Sequence, residues 1–298
     1  MVLQVSWYYI PISIIIFIII LGIILYIIVK IYLNKWKKEL SLNMNSLCKI
    51  YDIPNIDVNF IPTIFNKQSA LSFLMLNFSV SSWSGCQTSL PEFMDFKIIK
   101  TFKGYDSKAK LDRDIAALYY SKNLHMAIMS FSGTMYISEW GNDFDFTQIN
   151  PYEINKDSKI LVHKHDYEMY NSLRNSFIIA LNDIKDDGLY FISTGHSLGG
   201  ALSTICFFDI VSNNLIPSGN RVLYSFASPR VGNDVFASII NNEYTSFRIS
   251  NSEDIITTLP LPISGKTKYE HINNCISFSE NLNDYVLNHI DAYINILS

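Results

Sequence analysis

The hydrophobic positions of this chain follow two different patterns. Residues 1–29 contain no charged side chain, and residues 12–29 are almost continuously Ile, Leu, Phe and Val. From residue 97 onward, short runs of β-branched and aromatic residues alternate with longer segments whose apolar residues recur at helical spacing. An uninterrupted run of about 20 apolar residues is typical of a transmembrane helix, whereas alternating strands and helices are typical of an α/β domain.

The alternating region divides into short predicted strands and longer predicted helices. The predicted strands lie at residues 98–102, 115–120, 125–131, 189–194, 222–226 and 247–249. The predicted helices of this region lie at residues 167–184, 200–211, 234–241 and 285–297, and one further helix is predicted ahead of it at residues 70–83. A turn at Lys122 and Asn123 joins the second and third strands. This order predicts a largely parallel central sheet with helices on both faces.

The N-terminal apolar run carries aromatic residues at both ends, as membrane helices do at the two interfaces. Trp7 precedes the run and Trp36 follows it. No Lys or Arg precedes the run, whereas Lys30 and three further lysines follow it, so the positive-inside rule places the rest of the protein on the cytoplasmic side. A cleaved signal peptide is the alternative, but its basic start, shorter apolar stretch and small-residue cleavage site are not evident.

These patterns predict a single-pass membrane protein with three regions. Residues 1–36 form an N-terminal transmembrane anchor with its interface residues, and residues 37–95 form a juxtamembrane and N-terminal helical region. Residues 96–298 form the α/β domain.

The charge and the cysteine content exclude two classes of function. A net charge of −4 gives no electrostatic reason to expect nucleic acid. The four cysteines form no Cys-x-x-Cys pair, which argues against a zinc or redox site and leaves a disulfide open.

The most informative motif is the pentapeptide Gly195-His196-Ser197-Leu198-Gly199. A predicted strand precedes it and a predicted helix follows it, so Ser197 stands in a sharp strand-to-helix turn. A serine at such a turn has a strained backbone, and the glycines on either side let neighbouring chain pass close by. This context predicts that Ser197 is a nucleophile, against the alternative that the Gly-x-Ser-x-Gly pattern arose by chance.

A serine nucleophile needs a histidine base and a carboxylate that orients the histidine. After a nucleophile of this type the acid comes next in the chain and the histidine last, which leaves His271 and His289 as candidate bases. Asp254 is the best-placed acid, because it follows the strand at residues 247–249 and active sites form at the carboxyl ends of parallel strands. Glu253 is the fallback acid. Less well placed are Asp209, inside a helix, and Asp234, in a turn.

Five segments of the chain resemble, in order, the motifs of one enzyme family. They are Phe131–Thr134, Val162–Lys164, Gly195–Ala201, Phe226–Asn233 and Asp254–Pro260. From about residue 96 onward, the chain therefore resembles the class 3 lipase family of α/β-hydrolases. The resemblance implies an α/β-hydrolase fold, a Ser-Asp-His triad and catalysis without a metal or cofactor.

The resemblance also implies how the site stabilises charge and how it is covered. It assigns the oxyanion hole to the backbone N–H groups of Thr134 and Leu198, with the hydroxyl of Thr134 assisting. It further implies a short lid that carries Trp140 and Asp143. A loop whose aromatic residues pack on the core is the alternative interpretation of that segment.

The base implied by the resemblance is His289, since the family carries a histidine near its C-terminus that is followed by a tyrosine. Asn288 stands where the family commonly has Asp, and the spacing from His289 to Tyr293 is one residue longer than usual. His271 resembles a separate tyrosine-x-histidine feature ahead of a late strand. Another departure is His165-Asp166, where the family usually has Gly-Phe, and this change bears on acyl-chain specificity.

Together these observations predict a membrane-anchored serine lipase that hydrolyses acylglycerols or related lipid esters. Its triad would be Ser197, Asp254 and His289, and its partners a lipid ester substrate and the bilayer. A phospholipase or an acyltransferase on the same fold is an alternative, because no residue of the predicted site separates them. A catalytically inactive membrane scaffold is the alternative from another functional class.

Overall fold

The computed structural model describes most of the chain from residue 52 onward. The described residues are 14, 17, 19–24, 26–27, 30–31, 52–57, 59–85, 89–107, 110–133, 146–243, 245–264 and 266–298. All elements named below belong to one compact unit within residues 44–135 and 145–298. The predicted anchor at residues 1–36 lies largely outside the described residues. Within the described part of the chain, no helix is both long enough and apolar enough to cross a membrane.

A seven-stranded sheet forms the centre of this unit. Its strands are β1 (Lys97–Asp106), β2 (Leu111–Ser121), β3 (Met126–Phe131), β6 (Tyr190–His196), β7 (Arg221–Phe226), β8 (Ser246–Asn251) and β11 (Cys275–Phe278). They lie in the spatial order β1-β2-β3-β6-β7-β8-β11. Two small ladders complete the strands: β4 (Gln148–Ile149) with β5 (Val162–His163), and β9 (Ile263–Ser264) with β10 (Thr267–Lys268).

Helices cover both faces of the sheet. They are α1 (Lys67–Gly85), α2 (Lys164–Asn182), α3 (Leu198–Ser212), α4 (Asp234–Asn241), α5 (Tyr285–His289) and α6 (Asp291–Leu297), with a 3₁₀ turn at Ile255–Thr258. Alternate residues of a strand point to opposite faces. Accordingly, Met129 and Phe131 of β3 belong to the core built with α2 and α3. Ser130, between them, donates a hydrogen bond to Asn77 of α1 on the other face.

The predicted parallel sheet is confirmed for its central part. Strands β3, β6, β7, β8 and β11 pair in parallel, so their carboxyl ends share one edge. Strands β1, β2 and β3 pair antiparallel, as the predicted hairpin turn between β2 and β3 requires. Of the seven strands in the central sheet, the edge strand β11 is the one that the hydrophobic pattern did not locate, because its side chains are mostly exposed.

Helix α1 is apolar but carries a fully buried asparagine. The Nδ2 group of Asn77 donates to Oγ1 of Thr194 over 3.0 Å, and its Oδ1 accepts from Oγ of Ser130 over 2.8 Å. Asn77 also begins the Asn-Phe-Ser glycosylation sequon. Because its side chain has no exposed surface, the folded protein does not offer this sequon for glycan transfer.

The C-terminal segment differs from its predicted single helix at residues 285–297. It forms two short helices, α5 and α6, separated at Ile290, whose backbone angles of φ −121° and ψ −68° are not helical. Asp284 caps the first helix through hydrogen bonds from two backbone N–H groups. The break follows from a sequence rich in Asn and β-branched residues, which are weak helix formers. As a result, His289 is the last residue of α5 and does not lie within one long terminal helix.

Candidate active site

Ser197 occupies the turn between β6 and α3, as its motif predicts. Its backbone angles are φ 61° and ψ −126°, a left-handed conformation that costs free energy for a residue with a side chain. Glycine is required on both sides. A Cβ on Gly195 would overlap the backbone of Gly199, and one on Gly199 would lie 2.5 Å from the carbonyl oxygen of Phe131. The tight packing around the turn therefore maintains the strained serine.

Asp254 follows the carboxyl end of β8 and begins the 3₁₀ turn. Its Oδ1 atom accepts a hydrogen bond from the backbone N–H of Ile256 over 3.0 Å. Its Oδ2 atom accepts from Nδ1 of His289 over 2.8 Å and from the hydroxyl of Tyr293 over 2.9 Å. The side chain is 1% exposed. Both carboxylate oxygens are thus paired with donors, which fixes the orientation of the carboxylate.

His289 is oriented by Asp254 through one ring nitrogen. Since a carboxylate only accepts hydrogen bonds, Nδ1 carries the proton and Nε2 retains its lone pair. Within the described part of the chain, Nε2 is buried and has no hydrogen-bond partner. The ring lies 4.6 Å from that of His196, the residue that precedes Ser197. The structure thus brings Asp254 and His289 together beside the turn that carries Ser197.

Two further rings support this pair. Burial, and then the charge of Asp254, raises the pKa of Tyr293 well above its usual value, so its hydroxyl remains a donor to that carboxylate. Burial, and then the neighbouring His289, lowers the pKa of His196 well below its usual value. Nε2 of the neutral His196 donates to the carbonyl oxygen of His289 over 2.7 Å.

Asn251 connects the loop that carries Asp254 with the segment that carries His289. Its Nδ2 donates to the carbonyl oxygens of Glu280 and Asn288 over 2.9 and 3.1 Å. Its Oδ1 accepts from the backbone N–H groups of Glu253 and Glu280 over 3.3 and 3.0 Å. Its own N–H donates to the Tyr293 hydroxyl over 3.0 Å. This buried amide therefore determines how close the segments of Asp254 and His289 lie.

The other candidate residues have different surroundings. Nε2 of His271 donates to the carbonyl oxygen of Thr257 over 2.7 Å. Burial, and then the charge of Arg248, lowers the pKa of His271 to about 3. Asp209 is fully buried in α3, where it accepts from Arg174 over 2.7 Å and from Tyr170 over 2.8 Å.

Of the remaining acid candidates, Glu253 is partly buried and Asp234 is exposed. The carboxylate of Glu253 accepts long hydrogen bonds from Ser279 and Asn281, both of 3.3 Å. Asp234 is the exposed first residue of α4. Within the described part of the chain, neither carboxylate makes a hydrogen bond to a histidine. Of the acids considered from sequence, the structure brings only Asp254 into hydrogen-bond contact with a candidate base.

The predicted oxyanion and lid residues are described only in part. Leu198 is the first residue of α3, where backbone N–H groups have no partner within the helix. Thr134, Trp140 and Asp143 lie outside the described residues. Among the described residues, no group of three or more His, Cys, Asp or Glu side chains is arranged to hold a metal ion.

Comparison with known proteins shows similarity to one enzyme family. Residues 128–263 match the family model described as lipase (class 3). This range includes the turn that carries Ser197 and the loop that carries Asp254. This part of the chain is similar to the class 3 lipase family. Asn288 stands where the resemblance implies an Asp, and its Oδ1 accepts a hydrogen bond from the backbone N–H of Leu282 over 2.7 Å. Asp166 belongs to His165-Asp166, which stands where the resemblance implies Gly-Phe. Its side chain is buried, and its Oδ2 lies 3.0 Å from Nδ1 of His163.

The similarity extends to individual lipases and phospholipases. Over 204 residues, 66% of this chain and 53% of the relative, the chain is 28% identical to a lipase of Rhizomucor miehei. It is also 28% identical to phospholipase A1-II 1 of Oryza sativa over 61% of this chain and 48% of the relative. The solved structure of Rhizomucor miehei triacylglyceride lipase matches with a TM-score of 0.53 at 25% identity, covering 64% of this chain and 69% of that one. The chain spans about half the length of these curated relatives.

Proposed function

We propose that this protein is a class 3 lipase and that it acts as a serine hydrolase that cleaves carboxylic esters of lipids. The observation that carries the proposal is the contact of 2.8 Å between Nδ1 of His289 and Oδ2 of Asp254. It leaves the buried Nε2 of His289 with a free lone pair beside the strained turn of Ser197. A histidine oriented in this way acts as a general base towards a serine hydroxyl.

The reaction begins with acylation of the serine. Oγ of Ser197 attacks the ester carbonyl carbon while Nε2 of His289 takes the hydroxyl proton. Asp254 stabilises the imidazolium that forms. The tetrahedral intermediate then collapses, the bond to the alcohol oxygen breaks, and Nε2 returns the proton to that oxygen. Water attacks the acyl-serine by the same proton transfers, which releases the fatty acid and restores the serine.

The negative charge of the tetrahedral intermediate needs preorganised donors. We assign this role to the backbone N–H groups of Leu198 and Thr134. The former lies in the first turn of α3, where the partial positive charge of the helix terminus also favours an oxyanion. Each donor of this kind contributes about 3 kcal/mol to stabilisation of the transition state.

Acylglycerols are the proposed substrates, with phospholipids as the second candidate. The relative from Rhizomucor miehei is a lipase and that from Oryza sativa is a phospholipase A1. Both activities break a carboxylic ester of a fatty acid, so one triad suffices for either. Release of fatty acid from dioleoylglycerol and from phosphatidylcholine separates the two. Ester formation with an added alcohol as acceptor would instead reveal an acyltransferase.

We also propose that residues 1–36 anchor the enzyme to a membrane with its catalytic domain on the cytoplasmic side. The uncharged apolar run at residues 12–29 and the lysines that follow it support this proposal. An anchor holds the enzyme at the surface in which lipid esters are dissolved, which raises their effective concentration. Protease added to the cytoplasmic face of sealed membranes should digest the domain. Digestion only from the opposite face would contradict the orientation, and extraction of the full chain by alkaline carbonate would contradict the anchor.

The catalytic proposal is tested with the full chain in detergent micelles. We expect hydrolysis of p-nitrophenyl butyrate, octanoate and palmitate, and covalent labelling by a fluorophosphonate at Ser197, located by peptide mass spectrometry. Ser197→Ala should lose both the hydrolysis and the label, because the nucleophile is absent. A folded wild-type chain that hydrolyses none of these esters, or the lipid esters above, would support the inactive scaffold. Hydrolysis that persists in Ser197→Ala would disprove the role of the serine.

A further inference from the structure

We propose that Ser81, on helix α1, is a positioning residue for the nucleophile turn. It acts by fixing the backbone of Gly133, which lies against Ser197. The inference rests on the proposed esterase function and extends it to a residue outside the range matched by the family model, residues 128–263. It also gives α1 a role in catalysis that its apolar sequence did not predict.

Ser81 makes two hydrogen bonds through one buried hydroxyl. Its Oγ donates to the carbonyl oxygen of Asn77, one helical turn earlier, over 2.8 Å. The same Oγ accepts from the backbone N–H of Gly133 over 2.8 Å. Because the first bond fixes the direction of the hydroxyl proton, the oxygen lone pairs are presented to Gly133. The serine thus holds a peptide group that follows the carboxyl end of β3.

Gly133 lies directly against the nucleophile. A Cβ on Gly133 would lie 3.6 Å from Cβ of Ser197 and 3.1 Å from the carbonyl oxygen of His196. The two preceding residues meet the other side of the turn, since a Cβ on Gly199 would lie 2.5 Å from the carbonyl oxygen of Phe131 and 2.8 Å from that of Ser132. The end of β3 and the two residues after it (131–133) therefore contact the backbone on both sides of Ser197. A shift of Gly133 would move this side of the site.

Asn77 provides the second point of attachment between α1 and this part of the sheet. Its amide joins Ser130 of β3 to Thr194 of β6, which are direct partners in the parallel ladder. Ser130 is the second-last residue of β3, and Thr194 lies three residues before Ser197. The helix consequently holds both strands that lead to the site, and Ser81 extends this attachment to Gly133.

A neighbouring serine provides a matched control. Ser79 is 2% exposed, and its Oγ donates to the carbonyl oxygen of Met75 over 2.9 Å, as Ser81 does to Asn77. Within the described residues, Ser79 makes no hydrogen bond to the end of β3 or to the residues that follow it. Ser79→Ala and Ser81→Ala therefore remove the same kind of local bond from the same buried helix. Only Ser81→Ala also deprives the Gly133 N–H of its acceptor.

The experiment compares the two variants with wild type as full chains in detergent micelles. The quantities to be measured for each chain are kcat and KM for p-nitrophenyl butyrate, the midpoint temperature of thermal unfolding, and the rate of backbone hydrogen exchange in a peptide that contains Gly133. Ser81→Ala is expected to lower kcat by about 10- to 100-fold with KM within about twofold, because a small displacement near the reacting atoms mainly affects the transition state. It should also accelerate exchange at Gly133. Ser79→Ala should retain wild-type kcat and exchange.

Equal losses of kcat in the two variants would overturn the proposal, since a general weakening of α1 would then explain both. Unchanged kcat in Ser81→Ala, with faster exchange at Gly133, would overturn it as well. If Ser81→Ala does not fold, Ser81→Cys is measured instead, because a thiol of similar size is a weak acceptor. A wild-type chain without esterase activity would remove the proposed function itself, and that result is visible without any variant.

Discussion

Replacing His289 with alanine is expected to lower kcat for p-nitrophenyl butyrate by about 10⁵- to 10⁶-fold. The variant retains Ser197, but no group remains at the position of Nε2 to take its proton. The same loss leaves the water that attacks the acyl-serine without a base. Initial rates over a series of substrate concentrations measure the effect, and fluorophosphonate labelling of Ser197 should slow in parallel because it needs the same deprotonation.

His271→Ala is the matched control for this result. His271 is the other histidine that follows Ser197 and Asp254 in the chain, so sequence order alone leaves both open. In the structure it donates to the carbonyl oxygen of Thr257, and burial lowers its pKa to about 3. We expect His271→Ala to retain kcat within about tenfold, a loss of the size that local loop changes cause. Abolished turnover in His271→Ala together with activity in His289→Ala would transfer the role of base.

The elements of the fold were predictable where the local pattern was unambiguous. Strands β3 and β7 are short, buried apolar runs, and α2 shows clear helical periodicity, so each was located to within a few residues. Strand β11 was not located, because an edge strand with exposed side chains carries little hydrophobic signal. The break at Ile290 was also missed, since the apolar spacing continues across it while the backbone does not.

The chemistry of the site was predictable only as far as local motifs extend. The turn of Ser197 follows from glycine spacing between a strand and a helix, and the acid follows from its place after a strand. The hydrogen bonds that hold the acid and the base together join residues distant in sequence, such as Asn251 with Tyr293. They depend on the route of the chain through β11 and the break at Ile290, which the sequence pattern does not reveal. The roles of Thr134, Trp140 and Asp143 remain predictions.

Asp254→Asn is expected to lower kcat by about 10⁴-fold while the chain remains folded. The carboxylate faces donors on every side: Ile256 N–H at Oδ1, and His289 Nδ1 with the Tyr293 hydroxyl at Oδ2. An amide placed with its NH₂ group at Oδ1 would oppose the N–H of Ile256. With its NH₂ group at Oδ2, it would donate to Nδ1 of His289, and the ring proton would move to Nε2. That tautomer cannot accept the proton of Ser197.

Glu253→Gln tests whether this loss is specific to Asp254. The two carboxylates are adjacent in sequence, and both variants remove one negative charge without changing side-chain size. Among the described residues, however, the carboxylate of Glu253 accepts only long hydrogen bonds from exposed side chains, such as those of Ser279 and Asn281. We therefore expect Glu253→Gln to retain kcat within about twofold, as surface substitutions usually do. If Glu253→Gln lost activity while Asp254→Asn retained more than about a tenth of kcat, Glu253 would be the acid. Thermal midpoints measured on both variants separate a chemical loss from unfolding, because a folded Asp254→Asn chain without activity implicates the histidine tautomer.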